Sequence, residues 1–158
     1  MKIFKEFLPY IIIIIVVVSI RMFIITPVRV NGDSMNPTLK SNQIMLLNKV
    51  TKPKRFNIVV IDLPSERLIK RVIGLPGETI EVVDNVILIN GEEIADLYGD
   101  GMTYDFGSIT LESDEYFVMG DNRENSKDSR FYGPFKKKNI EGKTNIIIYP
   151  FNSFGFVK

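Results

Sequence analysis

The 158-residue sequence contains no cysteine and no histidine. Without histidine there is no Ser-His-Asp triad, no Cys-His dyad and no imidazole metal ligand. Without cysteine there is no thiolate nucleophile, zinc knuckle, iron–sulfur cluster or disulfide. Hydrolytic chemistry in such a chain falls to Ser, Thr, Lys, Tyr or carboxylates, or to a metal held by oxygens. The absence of cysteine fits either redox compartment. An excess of one charge is also missing: 20 Lys and Arg stand against 19 Asp and Glu, a net charge of +1. The basic block Lys136-Lys137-Lys138 reads as a solvated loop, so no nucleic-acid partner is expected.

What is present is concentrated at the N-terminus. From Phe7 to Ile25, 16 of 19 residues are apolar, the exceptions being Pro9, Ser19 and Arg21. The central run Ile11–Val18 is wholly β-branched, which in water would favour a strand. It is too apolar for a soluble edge, and as a helix 19 residues span roughly 28 Å, about the hydrocarbon thickness. Lys2 and Lys5 resemble the positive start of a signal peptide, but the apolar run is too long and no small-x-small site follows. The segment therefore reads as an uncleaved membrane anchor of residues 1–26, in contact with the lipid bilayer, with Thr26-Pro27 ending the helix. Arg21 is placed to snorkel.

Residues 27–158 read as an all-β domain. Runs of β-formers alternate with turn signals at 43–47, 58–62, 68–73, 79–83, 86–89, 116–119 and 145–149. Asp84-Asn85 and Asn90-Gly91 between apolar runs predict hairpins. Asn36–Leu39 predicts one short helical turn, and Ala95–Ile109 a glycine-containing loop. The fold class is mainly β behind a single transmembrane helix.

Three segments carry candidate chemistry. The first, Gly32-Asp33-Ser34-Met35-Asn36-Pro37-Thr38-Leu39, can hold a serine exposed on a tight bend, although, taken alone, a plain surface turn explains it better. In the second, Arg67-Leu68-Ile69-Lys70-Arg71-Val72-Ile73, strand alternation puts Lys70 with Leu68 and Val72, and Arg71 with Ile69 and Ile73. One cation per face suits an exposed edge. If one face packs on the core, one of the two cations is sheltered, and a sheltered lysine can act as a base. The third segment contains ten consecutive polar residues, Asp121–Arg130, directly after a strand-like run. Asp121, Asn125 and Asp128 are oxygen donors, but Arg123 and Arg130 sit among them and EF-hand spacing is missing. No metal and no cofactor is expected.

Together, and in this order behind one anchor, these segments resemble the membrane-bound type I signal peptidases of the short bacterial kind. The likeness also takes in the Arg55-Phe56-Asn57-Ile58-Val59-Val60 strand and the Gly142-Lys143 strand. The resemblance implies Ser34 as nucleophile, Lys70 as general base and Ser126 as the hydroxyl that aims the Lys70 amine. It implies that Asp121 pairs with Arg71, and Asp128 with Arg130, to fix the loop. It assigns Val28, Val30, Met35, Leu39, Leu68 and Ile69 to the substrate cleft. Some members carry a serine two residues before the nucleophile; here that position is Gly32, which leaves the oxyanion hole mainly to the Ser34 N–H. The implied function is removal of signal peptides from exported preproteins, cutting after small residues. The implied setting is a single-pass cell-membrane protein with a cytoplasmic N-terminus and an extracytoplasmic domain, acting as a monomer beside the secretion channel.

The chemistry is consistent with the missing histidine. A free lysine titrates near ~10.4, so only about 0.4% is neutral at pH 8. A lysine base therefore needs burial, which Leu68, Ile69 and Val72 can provide. Ser34 lies nine residues beyond Ile25, a reach of at most about 30 Å, so the cut falls near the bilayer surface. The peptide is expected to bind extended, as an added strand. The same architecture could also serve as a membrane-tethered module that binds peptides without cutting, but such a module should lack the serine or the lysine.

Overall fold

The computed structural model describes residues 2–157; Met1 and Lys158, the outermost residues of the two expected segments, lie outside the described residues. Helix α1 runs from Lys2 to Phe23 and includes Pro9. Its window Glu6–Phe23 is long and apolar enough to cross a bilayer, and none of it is buried within the protein. The helix stops earlier than Thr26-Pro27. The chain instead enters strand β1 (Ile25–Arg29), which contains both residues. Pro27 is tolerated there because β1 is the outermost strand and needs no donor on its open side.

The strands that follow are β2 (Ile44–Asn48), β3 (Ile58–Asp62), β4 (Arg67–Gly74), β5 (Thr79–Val83) and β6 (Val86–Ile89). Then come β7 (Glu92–Glu93), β8 (Phe106–Thr110) and β9 (Glu115–Met119). A single helical turn, α2 (Ser129–Tyr132), precedes β10 (Phe135–Lys136), β11 (Ile140–Tyr149) and β12 (Gly155–Phe156). Among the described residues these strands form two sheets. The larger has the order β1-β2-β11-β3-β4-β9-β10, with β12 beside β11; the smaller has the order β7-β6-β5-β8.

The predicted hairpins form where the turn residues dictate. Asp84 and Asn85 both take positive φ, +51° and +66°, between β5 and β6, as a type I′ turn requires. Asn90 and Gly91 repeat this between β6 and β7, at +52° and +80°. Asn36–Leu39 makes its turn, with Leu39 N–H donating to Met35 O at 2.8 Å. Two elements depart from the sequence reading. The 95–109 stretch is not all loop, since its end forms β8 against β5. Helix α2 begins inside the polar run, where Asp128 caps it by accepting the Arg130 N–H.

Three apolar clusters hold the sheets. Ile73, Phe117 and Met119 of the large sheet pack with Ile80, Val82, Ile87 and Ile89 of the small one. Val59, Ile61, Leu68 and Val72 form a second cluster with Tyr116 and Val118. Val28, Val30, Met35 and Leu39 join Met45, Leu47, Ile58 and Ile69 in a third. Each fully buried Val or Ile contributes roughly 1.5–3 kcal/mol, so these clusters fix the register of β4 between β3 and β9.

Candidate active site

Strand β4 is not an edge. It lies between β3 and β9 and is buried along almost its whole length. The expectation that one of its two cations is sheltered is therefore corrected: Lys70 is 2% exposed and Arg71 is 1% exposed. Alternation still separates them. Leu68 and Val72 share one cluster, while Ile69 and Ile73 pack in the two others.

On one side Lys70 meets Ser34, with Nζ 2.6 Å from Oγ. These residues are 36 apart in sequence, joined because the turn that follows β1 folds back onto β4. Burial pushes the Lys70 amine below its ordinary pKa. The carboxylates of Asp128, Glu66 and Asp121 pull in the opposite direction, and Arg130 adds to the lowering. Burial is the largest of these effects, so the amine is more readily neutral than in water.

On the other side Arg71 forms a buried fork with Asp121: Nε donates to Oδ1 at 2.8 Å and Nη2 to Oδ2 at 2.7 Å. Its Nη1 donates to Phe56 O at 2.8 Å. Phe56 has φ +65°, an uncommon conformation for a bulky residue, and its carbonyl receives the guanidinium. The Tyr98 ring centroid lies 3.7 Å from Arg71 Cζ. A desolvated charge in such a site requires this complete partnering.

Asp128 is fully buried. It accepts from Arg130 Nε and Nη2 at 2.9 and 2.8 Å, and from the Gly120 N–H at 2.8 Å. Burial pulls its carboxyl upward, but the Arg130 fork and charge and the Gly120 N–H outweigh that and hold it below the usual carboxylate range.

Ser126 lies in the same buried cluster without the expected bond. Its buried Oγ has no hydrogen-bond partner among the described residues, so its bond to the Lys70 amine is not formed. The residue is nonetheless within the cluster. A Cβ on Gly120 would collide with both Ser126 Oγ and Ser34 O, so Gly120 permits the close approach of three segments. Sequence reasoning gave Gly120 no role. Asn122 was missed as well. Its N–H donates to Ser34 O at 3.1 Å and its Nδ2 to Asp33 O at 3.2 Å, which fastens the serine turn from outside. Polar residues at these positions were visible; their partners, about 90 residues earlier in the chain, were not.

The six cleft residues divide. Val28, Leu68 and Ile69 line an open groove that also holds Ser34, Lys70, Glu66 and Lys127. Val30, Met35 and Leu39 do not line it; they are at most 2% exposed and lie in the core cluster beneath. They are apolar for packing, which the sequence pattern alone does not distinguish from contact with a ligand.

A buried, neutralisable amine in contact with a serine hydroxyl at the edge of an extended groove is equipped for nucleophilic acyl transfer. Comparison with known proteins agrees. A sequence profile described as "Signal peptidase, peptidase S26" matches residues 3–149. Signal peptidase I of Bacillus amyloliquefaciens is 39% identical over 158 aligned residues, which cover 90% of this chain and 85% of that protein. Signal peptidase I S of Bacillus subtilis (strain 168) is 38% identical over 156 residues, covering 88% and 85%. The crystal structure of a signal peptidase I from Enterococcus faecalis V583 matches with a TM-score of 0.54 at 36% identity, covering 60% of this chain and 97% of that one.

Proposed function

The chain belongs to the type I signal peptidases of the S26 family, and from that premise we propose that it is a membrane-anchored serine endopeptidase that removes signal peptides from preproteins. The observation that carries the mechanism is the 2.6 Å approach of Lys70 Nζ to Ser34 Oγ, with the amine buried.

In this reading neutral Lys70 takes the Ser34 hydroxyl proton as Oγ attacks the scissile carbonyl carbon. The Ser34 N–H donates to the oxyanion that forms. Lys70 then gives its proton to the departing amine, which leaves an acyl ester on Ser34. Lys70 next takes a proton from water as the water oxygen attacks the ester carbonyl carbon; the bond from that carbon to Ser34 Oγ breaks, and Lys70 returns the proton to Oγ, which restores the hydroxyl and the neutral amine. Arg71 with Asp121, and Arg130 with Asp128, hold the surrounding segments. Ser126, beside Gly120, is placed to aim the amine once substrate enters.

The anchor helix, which ends at Phe23, holds the catalytic β domain that begins with β1 at the outer face of the cell membrane, with the N-terminus in the cytoplasm. The enzyme acts as a monomer beside the secretion channel. A non-cleaving peptide-binding module finds no support, since serine and lysine are both present and in contact. The test is to incubate the detergent-solubilised full chain with a preprotein and sequence the new N-terminus. A cut just beyond the apolar stretch of the signal, after a small residue, is expected; an intact preprotein overturns the reading.

A further inference from the structure

The segment between β7 and β8 has no part in the mechanism above, yet it grips the loop that holds Ser34. Asp100 N–H donates to Asp121 O at 2.7 Å, and Arg123 N–H donates to Asp100 O at 2.8 Å. Asp100 is thereby clipped, in a parallel bridge, to Asn122. Asn122 is the residue whose N–H donates to Ser34 O and whose side chain donates to Asp33 O.

Side chains lock this clip. Arg123 is 4% exposed. It donates to Asp96 Oδ2, to Thr103 Oγ1 at 2.7 Å and to Gly120 O at 3.1 Å. Asp96 in turn accepts the N–H groups of Tyr98 and Gly99 at 3.2 and 3.3 Å. Tyr98 carries its ring over Arg71 and against Phe56, whose ring centroid is 5.4 Å away. Gly99 lies against the Arg123 guanidinium, and a Cβ there would sit 2.5 Å from Cζ. A surface excursion with no other role needs neither a buried ion pair nor a glycine at van der Waals limit.

We propose that Asp96 is a positioning residue: through Arg123 it fixes the 120–123 segment, and through Asn122 it sets the Ser34 carbonyl and the turn that aims Ser34 Oγ at Lys70. The excursion between β7 and β8 is thus a clasp on the segment that carries the nucleophile's support. Asp96 touches no reacting atom. Its loss lets the Ser34 turn drift, and a misplacement of about 1 Å costs on the order of 10²-fold in rate. The groove-lining Val28, Leu68 and Ile69 are not held by the clasp, so the effect falls on kcat more than on KM.

This inference rests on the proposed peptidase function, and the experiment separates the two. The full chain and the variants Asp96→Asn, Gly99→Ala and Val82→Ala are compared for kcat, KM and Tm with one preprotein substrate, below every Tm. Asp96→Asn removes the ion pair; Gly99→Ala keeps it but pushes the guanidinium aside; Val82→Ala weakens the small sheet without touching the clasp. The expected result is a kcat lowered at least tenfold in both clasp variants, with KM within twofold, and near-normal kcat in Val82→Ala. Should Asp96→Asn fail to fold, Gly99→Ala carries the comparison. Wild-type kcat in a folded clasp variant, or a raised KM at constant kcat, overturns the proposal. So does a kcat that simply follows Tm across all three variants. A wild-type chain that cleaves nothing refutes the peptidase function instead.

Discussion

Lys70 and Arg71 are consecutive residues on a strand buried on both faces, and each cation receives the opposite treatment. Arg71 is surrounded by a carboxylate fork, a carbonyl and an aromatic face, so its charge is kept. Lys70 is given a hydroxyl and an apolar setting, so its charge is discouraged. The one-residue step of a strand places both sites within a single turn of sequence while insulating them from one another.

Ser34→Ala and Lys70→Ala should each abolish preprotein cleavage while leaving the β domain folded. Because the two act as a unit, the double variant should be no worse than either single one. Gel-based processing assays beside circular dichroism measure this. Residual cleavage by Ser34→Ala above background would remove Ser34 as nucleophile.

The pH dependence follows from the direction of the Lys70 shift. The working form is the neutral amine, so kcat should rise with pH through one ionisation lying below ~10.4. Glu66 holds the Lys70 pKa up from the groove side. Glu66→Gln should therefore move the acid limb of the profile to lower pH. Stability has the matching sign. The unfolded chain binds the Lys70 proton more tightly than the folded one, so the group penalises folding at neutral pH, and the penalty fades as pH rises toward ~10.4. Lys70→Met should raise Tm at pH 7, with the gain shrinking in alkaline buffer. A lower Tm at pH 7 would show that the buried amine is stabilised as a cation.

Breaking the Arg71–Asp121 fork leaves an uncompensated buried charge. Asp121→Ala should cost about 3–5 kcal/mol of stability, read by urea unfolding, and should remove activity with it. Replacing both partners by apolar residues, Arg71→Met with Asp121→Leu, should recover part of that stability but not the activity. Equal stability of Asp121→Ala and wild type would mean that water reaches the fork.

Much of this arrangement was legible in the sequence. The strands at 58–62, 79–83 and 86–89 form where β-formers and turn residues place them, because local alternation and hairpin chemistry decide those elements. Thr26-Pro27 misled because proline reads as a helix stop, whereas an edge strand accepts it without loss. Strand β8 was hidden because Phe106–Thr110 contains Gly107 and Ser108; its pairing with β5 supplies what its composition lacks. At the site, residue types were readable but long-range partners were not. Nothing local in Lys70-Arg71 says that both are buried, since that follows from β4 lying inside the sheet. Nor does Met35 reveal that it packs in the core rather than in the groove beside Ser34.

The remaining prediction concerns which bond is cut. An extended peptide laid along the groove presents alternate side chains to the protein, so positions minus one and minus three from the cut point inward and minus two points away. The groove wall facing those side chains is Val28, Leu68 and Ile69, each 7–8% exposed and without charge. The signal-peptidase resemblance implies a minus-one pocket sized for a small side chain, where Leu or Phe would overpack at a cost of ~1–3 kcal/mol, a loss of roughly five- to a hundredfold in processing. Alanine at minus one should be cut, leucine or phenylalanine should not, and changes at minus two should be tolerated. Shortening the wall should relax the rule, so Ile69→Ala should gain cleavage of larger minus-one residues. Val30→Ala should not, because Val30 is 2% exposed and packed beneath the groove; it should lower Tm and leave selectivity unchanged. A preprotein series varied at minus one, two and three, processed by the wild type and both variants, decides the matter. Equal cleavage of alanine and phenylalanine at minus one, or a relaxed rule in Val30→Ala, would place the peptide on a different surface.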